Sequence, residues 1–371
     1  MQPFVPQQLP ITDIPWDSLI PLIGKATRSL AYYDGILYGI ANADVLLSPL
    51  TTQEAVLSSK IEGTQATFGE VLKFEAGAVP LEESRIRDIE EIVNYRRAMR
   101  RAEAELKTRP FSLNLLKDLH ATLLDGVRGK FKARGEFRTT QNWIGIPGTP
   151  IEDAQFVPPA PGKMIEHLYD WERYYHSERP DPLVQLAIVH AQFELIHPFL
   201  DGNGRLGRMM VPLFLFERRL ISSPVFYISA YLESHRDEYV AGLRQLSEKT
   251  PSAWARWIGF FLGAMDEQAR ANTGKAQAIV DLYIRLKGKT IDLTHSRYAV
   301  PLLDYLFDQP VFTSSQFDDR PGMPSKPMVM NMLGRLKSAG ILKVMREGSG
   351  RRPQILALAE LVNICEGSDI L

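Results

Sequence analysis

With one cysteine, Cys365, in 371 residues, no intrachain disulfide is available, and a reducing compartment is the simplest expectation. Long apolar runs are missing too. The most apolar stretches, such as 211–216, fall far short of the roughly 18–20 residues that a bilayer crossing needs. The opening MQPFVPQQLPITDIPW has no basic segment followed by an apolar one, so it does not read as a secretory signal. A net charge of −1 argues against a wholesale binder of nucleic acid or membrane. No GxxxxGK[ST] and no HExxH occurs, which removes the Walker phosphate loop and the common helical zinc site. There is no internal repeat and no low-complexity segment. A soluble, cytoplasmic protein is expected.

What is present is an ordinary globular composition, 45% hydrophobic and 23% charged, over a length that suits two or three domains. Apolar residues recur at three and four positions through 83–106, 113–124, 164–175, 183–196, 206–220, 236–246 and 254–265, the spacing of helices that bury one face. Alternation of period two is confined to 137–146, 153–157, 342–345 and 354–358. The expected class is therefore all-α. Glycine and proline around 76–81 suggest a break, and the polar stretch 270–277 reads as a junction. The division expected is an N-terminal helical segment (1–80), a core (81–270) and a C-terminal module (280–371). Between Arg320 and Pro353 stand eight Lys or Arg against one acid, Glu347. In that basic module an apolar helix (298–307), a short helix after Thr313 and a longer one (325–339) precede two strands around Glu347-Gly-Ser-Gly-Arg351. Ser325 is the expected N-cap, and Pro327 is tolerated in the first turn. Three helices with a basic hairpin resemble a winged helix.

Residues 197–208, HPFLDGNGRLGR, concentrate the chemistry. Pro198 should end the preceding helix and leave His197 at its end. Gly202, Asn203 and Gly204 then open the next helix, where consecutive backbone N–H groups and the positive dipole end favour phosphate. Arg205 and Arg208 share a face of its first turn and can clamp further phosphate oxygens. Asp201 offers one hard oxygen, which suits Mg²⁺, an ion that leaves most positions to phosphate and water. GNGRLG also matches G-x-G-x-x-G, but the dinucleotide motif follows a strand and this one follows a helix. A calcium loop would need glycine and glutamate where Leu206 and Pro212 stand.

The same twelve residues resemble the signature of the Fic family, HPFx[DE]GNGRxxR, at every specified position. Gly135-Glu-Phe-Arg138, the segment beginning at Asn142, and Phe156-Val-Pro-Pro159 resemble that family's flap, and residues 1–80 resemble its N-terminal extension. The resemblance implies a helical Fic core with a small β-hairpin flap. It also implies transfer of AMP from ATP, with Mg²⁺, to a Ser, Thr or Tyr hydroxyl of a protein, releasing pyrophosphate. His197 would be the general base and Asp201 the Mg²⁺ ligand. Gly202, Asn203, Gly204, Arg205 and Arg208 would hold the phosphates, and Tyr239 would contact adenine.

Ser58-Ser-Lys-Ile-Glu62-Gly63 resembles the family's inhibitory motif, [ST]xxxE[GN]. Independently, Thr51 and Glu54 can form a capping box and Gly63 a helix end, so 52–62 is expected as a short helix with Ser58 and Glu62 on one face. A Glu62–Arg208 pair would then block the terminal phosphate. His190 is expected to be a buried, hydrogen-bonded residue and Arg138 a flap anchor. Three alternatives stay open: removal of AMP, transfer of another phosphate group, and a DNA-binding regulator whose core senses nucleotide. Docking of DNA or protein through 320–353, and a homodimer, are further candidate partnerships.

Overall fold

The apolar run 183–196 forms the helix Pro182–Ile196, buried from Leu183 onward in the computed structural model of the chain. The structure describes residues 2–40, 42–78, 82–126, 133–145, 148, 150–317, 322–349 and 352–371. Asp181 caps the helix by accepting the N–H groups of Leu183 and Val184 at 2.9 and 2.8 Å. A helix apolar on every side must be covered on every side. Pro161–His176 and Asn203–Glu217 pack along it. The indoles of Trp171 and Trp257 donate to its Val189 and Ala187 carbonyls at 2.9 and 2.8 Å. Both indoles are buried, so losing either bond would cost about 1–3 kcal/mol. That pairing fixes the rotation of the central helix, and with it the direction in which His190, Glu194 and His197 point.

Two compact units make up the chain. The first combines Met1–Asp34, Leu57–Gly63 and Asn94–Arg270; the second combines Gly35–Val56, Thr64–Val93 and Ala271–Leu371. In the first, the flap joins Ile144 to Phe156 through one antiparallel bridge, with N–H to carbonyl distances of 2.8 and 3.1 Å. The second holds a three-stranded antiparallel sheet in the order Val311–Thr313, Ile355–Ala357, Lys343–Arg346. Beside these strands in sequence are the helices Ala299–Asp308, Lys326–Ser338 and Ala359–Glu366. The chain is all-α with a small β-flap.

Several local expectations change. The helix Ser48–Ile61 begins upstream of Thr51, so Thr51 and Glu54 lie inside it and form no capping box. The capping box sits instead at Thr67 and Glu70, opening Phe68–Glu75. Residues 270–277, expected as a junction, are helical within Pro251–Thr294, and the two units divide there, between Arg270 and Ala271. Asp153 lies in the 3₁₀ turn Ile151–Asp153 and 137–143 form no strand, so side-chain alternation there reflects packing of irregular chain. Ser325 occupies the N-cap of Lys326–Ser338 without a side-chain bond. Trp16–Tyr38, with Pro21 inside it, was not among the expected helices, although Leu19, Ala26, Leu30, Tyr33 and Leu37 bury one face at helical spacing.

Candidate functional site

His197 terminates the central helix in the left-handed region, at φ 49° and ψ 62°. Such a backbone costs roughly 1–2 kcal/mol for a residue with a Cβ, and the following Pro198 disfavours the helical alternative. The ring nitrogen Nδ1 lies 3.3 Å from the Glu194 carbonyl. Donation from Nδ1 leaves Nε2 as the acceptor. Burial pushes this imidazole down to about 4, against the opposing pull of the Glu194 carbonyl and the Glu62 charge. The ring is therefore neutral at pH 7 and able to take a proton.

Downstream, Asp201 Oδ1 receives the Gly202 N–H at 2.6 Å and Arg205 Nη2 at 3.2 Å, while 40% of the Asp201 side chain stays exposed. Gly202 has φ 79°, a conformation that glycine adopts without strain. Asn203 is 2% exposed, accepts from Phe199 N and donates to Phe199 O, both at 2.9 Å. One donor and one acceptor of its amide are thus spent on shaping the loop. Gly204 begins the turn that faces the cavity. A Cβ there would lie 2.1 Å from Glu62 Oε1, so the missing side chain is what lets an anion approach the helix N-terminus.

That anion is the Glu62 carboxylate. Arg208, 1% exposed, donates through Nη2 to Glu62 Oε1 at 2.7 Å and to Ser58 O at 2.7 Å, and through Nε to Ser58 Oγ at 2.9 Å. Burial works against ionisation of Glu62, but the charge and hydrogen bond of Arg208, helped by Arg205, hold the carboxyl below its ordinary value. Gly63, at φ 95°, ends the helical segment just beyond it. Arg236 Nη2 reaches Ile61 O at 3.3 Å, and Lys60 pairs with Glu233 at 2.8 Å. The segment carrying Ser58 and Glu62 is therefore tied at several points.

The flap is anchored to the loop. Arg138 is buried and donates through Nε to His197 O at 2.9 Å, with further bonds to Pro159 O and Ile196 O, while its N–H meets Pro198 O at 2.9 Å. Desolvation pulls its guanidinium down to about 10, and it stays charged. Asn142 Nδ2 donates to Phe199 O at 3.0 Å. His120, which the sequence did not single out, accepts from Gly135 N at 2.8 Å, lies 3.2 Å from Asp201 O and stacks on Phe199 at 3.9 Å. Burial lowers it to about 4, so its Nδ1 remains an acceptor.

A cavity of about 750 Å³ opens between these elements, lined by Glu62, Trp143, Glu194, His197, Gly204, Arg208 and Tyr239, among others. Tyr239 is 4% exposed, and its hydroxyl lies 2.9 Å from His190 Nε2, whose Nδ1 is 3.0 Å from Gly207 O. His190 is thus buried and hydrogen-bonded. Glu194 is the second residue that sequence reasoning passed over; the lone carboxyl of a largely apolar helix was the available signal. The described residues hold no cluster of three metal-ligating side chains. One exposed carboxylate, Asp201, next to an N-terminal glycine cradle nonetheless fits an ion that completes its shell from phosphate and water. His197, Gly204 and Arg208 thus line one cavity, while Asp201, Gly202, Asn203 and Arg205 stand in the adjoining loop and first helical turn and are not among its lining residues.

Two family models match this chain: "Fic/DOC family N-terminal" over residues 20–104 and "Fic/DOC family" over residues 110–215. The chain is 26% identical over 212 residues to "Protein adenylyltransferase fic-1" of Caenorhabditis briggsae, covering 54% of this chain and 39% of that one. The protein of the same name from Caenorhabditis elegans is 24% identical over 228 residues, covering 58% and 42%. This chain therefore spans well under half the length of these relatives. The fold is similar to the crystal structure of a Fic family protein from Desulfovibrio desulfuricans G20, with a TM-score of 0.55 at 19% identity, covering 96% of this chain and 98% of that one.

Proposed function

From the premise that the chain belongs to the Fic/DOC family, we propose that it transfers AMP from ATP to a Ser, Thr or Tyr hydroxyl of a protein and is restrained by its own Glu62. The observation carrying this reading is the neutral His197 at the mouth of a glycine cradle that ends on Arg208. In the proposed step the target oxygen bonds to the α-phosphorus as its proton passes to His197 Nε2, and the α–β phosphoanhydride breaks to release pyrophosphate. Such base catalysis is typically worth about 10²–10⁴-fold. The backbone N–H groups after Gly202 and the guanidinium of Arg208 would carry the phosphate charge, in a site whose dipoles are already oriented. Magnesium bound at Asp201 would neutralise phosphate charge. Arg205 serves Asp201 directly, orienting it. Tyr239 and Trp143 line the cavity, where either ring would contact a base.

Incubation with α-labelled and γ-labelled ATP separates the readings. Label carried only from the α position supports AMP transfer; label from the γ position would replace it with phosphate transfer. Removal of AMP is the second reading at this site, with Glu62 orienting a water.

The C-terminal module adds a docking proposal. Lys326, Arg335 and Lys337 are exposed on one helix with Met328 and Met330, and Lys343 is exposed on the adjoining strand. This supports a winged-helix-like surface for DNA or protein. Arg320 and Arg351 of that patch lie outside the described residues. Binding of the whole chain to duplex DNA that weakens steeply with salt would favour nucleic acid.

A further inference from the structure

The central helix carries one carboxyl that the proposed reaction does not use. Glu194 is 9% exposed, and its Oε1 is buried without a hydrogen-bond partner. It lies over Gly207, where a Cβ would stand 2.0 Å from Oε1. One turn earlier the Glu62 carboxyl lies in the same way over Gly204, at 2.1 Å. Two carboxyls thus sit against two glycines three residues apart, and both feel the charge of Arg208. Arg208 spends its hydrogen bonds from Nε and Nη2 on Ser58 and Glu62.

Two ionised carboxyls around one buried guanidinium would leave a net negative charge in a site of low polarity, so one of them is neutral. Glu62 has the ion pair. We infer that Glu194 is a proton-linked gate on the Arg208 pocket: an anion occupies that pocket, whether the Glu62 carboxylate or the terminal phosphate of a nucleotide, only while the Glu194 carboxyl is neutral. This rests on the reading of the cavity as a polyphosphate site. Its consequence is that nucleotide binding takes up a proton when Glu62 has been removed and the pocket starts without an anion.

The surrounding groups isolate this residue. Burial, and then the Glu62 charge, push Glu194 up to about 8 against the pull of Arg208. On its own helix, His190 and His197 are both pushed down to about 4 by burial. From the neighbouring helices, Tyr239 is raised well above its ordinary range by burial, Arg208 is raised further by Glu62, and Glu62 is held low. Among these groups Glu194 is the one whose charge changes between about pH 6 and pH 9. A terminal phosphate brings at least as much negative charge to the place where Glu62 sits, so it imposes the same demand. With Glu62 removed and no anion present, that repulsion is gone and the Glu194 carboxyl ionises more readily. Entry of phosphate restores the proton.

The test compares the binding of MgATP by Glu62→Gly and by Glu62→Gly/Glu194→Gln, by calorimetry between about pH 6.5 and 9, in buffers of different ionisation enthalpy. The affinity of Glu62→Gly should fall by up to about tenfold per pH unit above the Glu194 midpoint, relative to the double variant. Titration of ATP itself is common to both proteins and cancels. Glutamine is uncharged and nearly isosteric with the neutral acid, so the double variant should lose this dependence and keep its affinity at high pH. Identical pH dependence in the two proteins would overturn the proposal. If the double variant does not fold, the buffer dependence of the binding enthalpy of Glu62→Gly alone still decides, because proton uptake near zero refutes the gate. Proton-linked binding without any AMP transfer would sink the transferase reading and leave this one standing.

Discussion

Under the proposed function, Glu62→Gly removes the carboxylate that would compete with phosphate for Arg208, and the Glu62–Arg208 contact sets the size of the effect. The lost contact is one charge-assisted bond of 2.7 Å to an arginine that is 1% exposed. Such bonds contribute about 1.5–3 kcal/mol. Glu62 itself is 39% exposed, so water screens the pair and the lower half of that range applies. About 1.5–2 kcal/mol corresponds to roughly a 10- to 30-fold gain in apparent ATP affinity. The guanidinium keeps its two bonds to Ser58, so it should stay oriented for the newcomer. Glu62→Gln tests charge against shape: it keeps the side chain, and its gain should be smaller than that of glycine. Equilibrium binding of a fluorescent ATP analogue at fixed pH and Mg²⁺ reads this directly. A Glu62→Gly protein that binds within twofold of wild type would refute the competition, because a latch with no cost to ATP restrains nothing.

Three further outcomes follow from neighbouring groups. Gly207→Ala would drive a methyl into the Glu194 carboxyl and against His190 Cε1 at 3.4 Å; overpacking of this kind costs about 1–3 kcal/mol, and an unchanged urea midpoint would count against the tight approach. Asp201→Ala should lose activity and Mg²⁺ dependence together, so a variant needing the same Mg²⁺ concentration as wild type would show that Asp201 is not the ligand. His120, His190 and His197 are held near 4 by burial, below their value in an unfolded chain, so their contribution is complete above about pH 6.5 and is lost as pH falls toward 4. Glu194, raised to about 8, acts in the opposite direction and costs stability as pH rises from about 4.5 to 8. Urea midpoints measured from pH 7 to 4.5 should therefore fall, and a flat profile would mean that the histidines are not buried neutral.

The parts of the fold legible in sequence were those with strong local signals. The helices Glu83–Leu106 and Pro182–Ile196 followed from apolar residues recurring at three and four positions, and Pro198 marked the place where the central helix stops. The polar stretch at 270–277 marks where the two units divide, between Arg270 and Ala271, but it did not show that the chain stays helical there, since Asn272 and Thr273 are buried polar residues of the helix Pro251–Thr294. Strand Val311–Thr313, three residues long and wholly buried, shows no alternation to read. In the site, the residues of 197–208 announced themselves by type and spacing. The commitment of Asn203 to Phe199, the His120 link to Asp201 and the opposition of Glu194 to Gly207 did not, since each joins segments that only tertiary packing brings together.

The proposed AMP transfer depends on His197 as the base. Intact-mass analysis of the target, or of the protein itself, after incubation of Glu62→Gly with ATP and Mg²⁺ should show an added AMP. Glu62→Gly/His197→Ala should show none, while its ATP affinity, measured alongside, matches the parent because the base acts on the hydroxyl and not on the nucleotide. AMP addition by the double variant at the rate of Glu62→Gly would contradict the account.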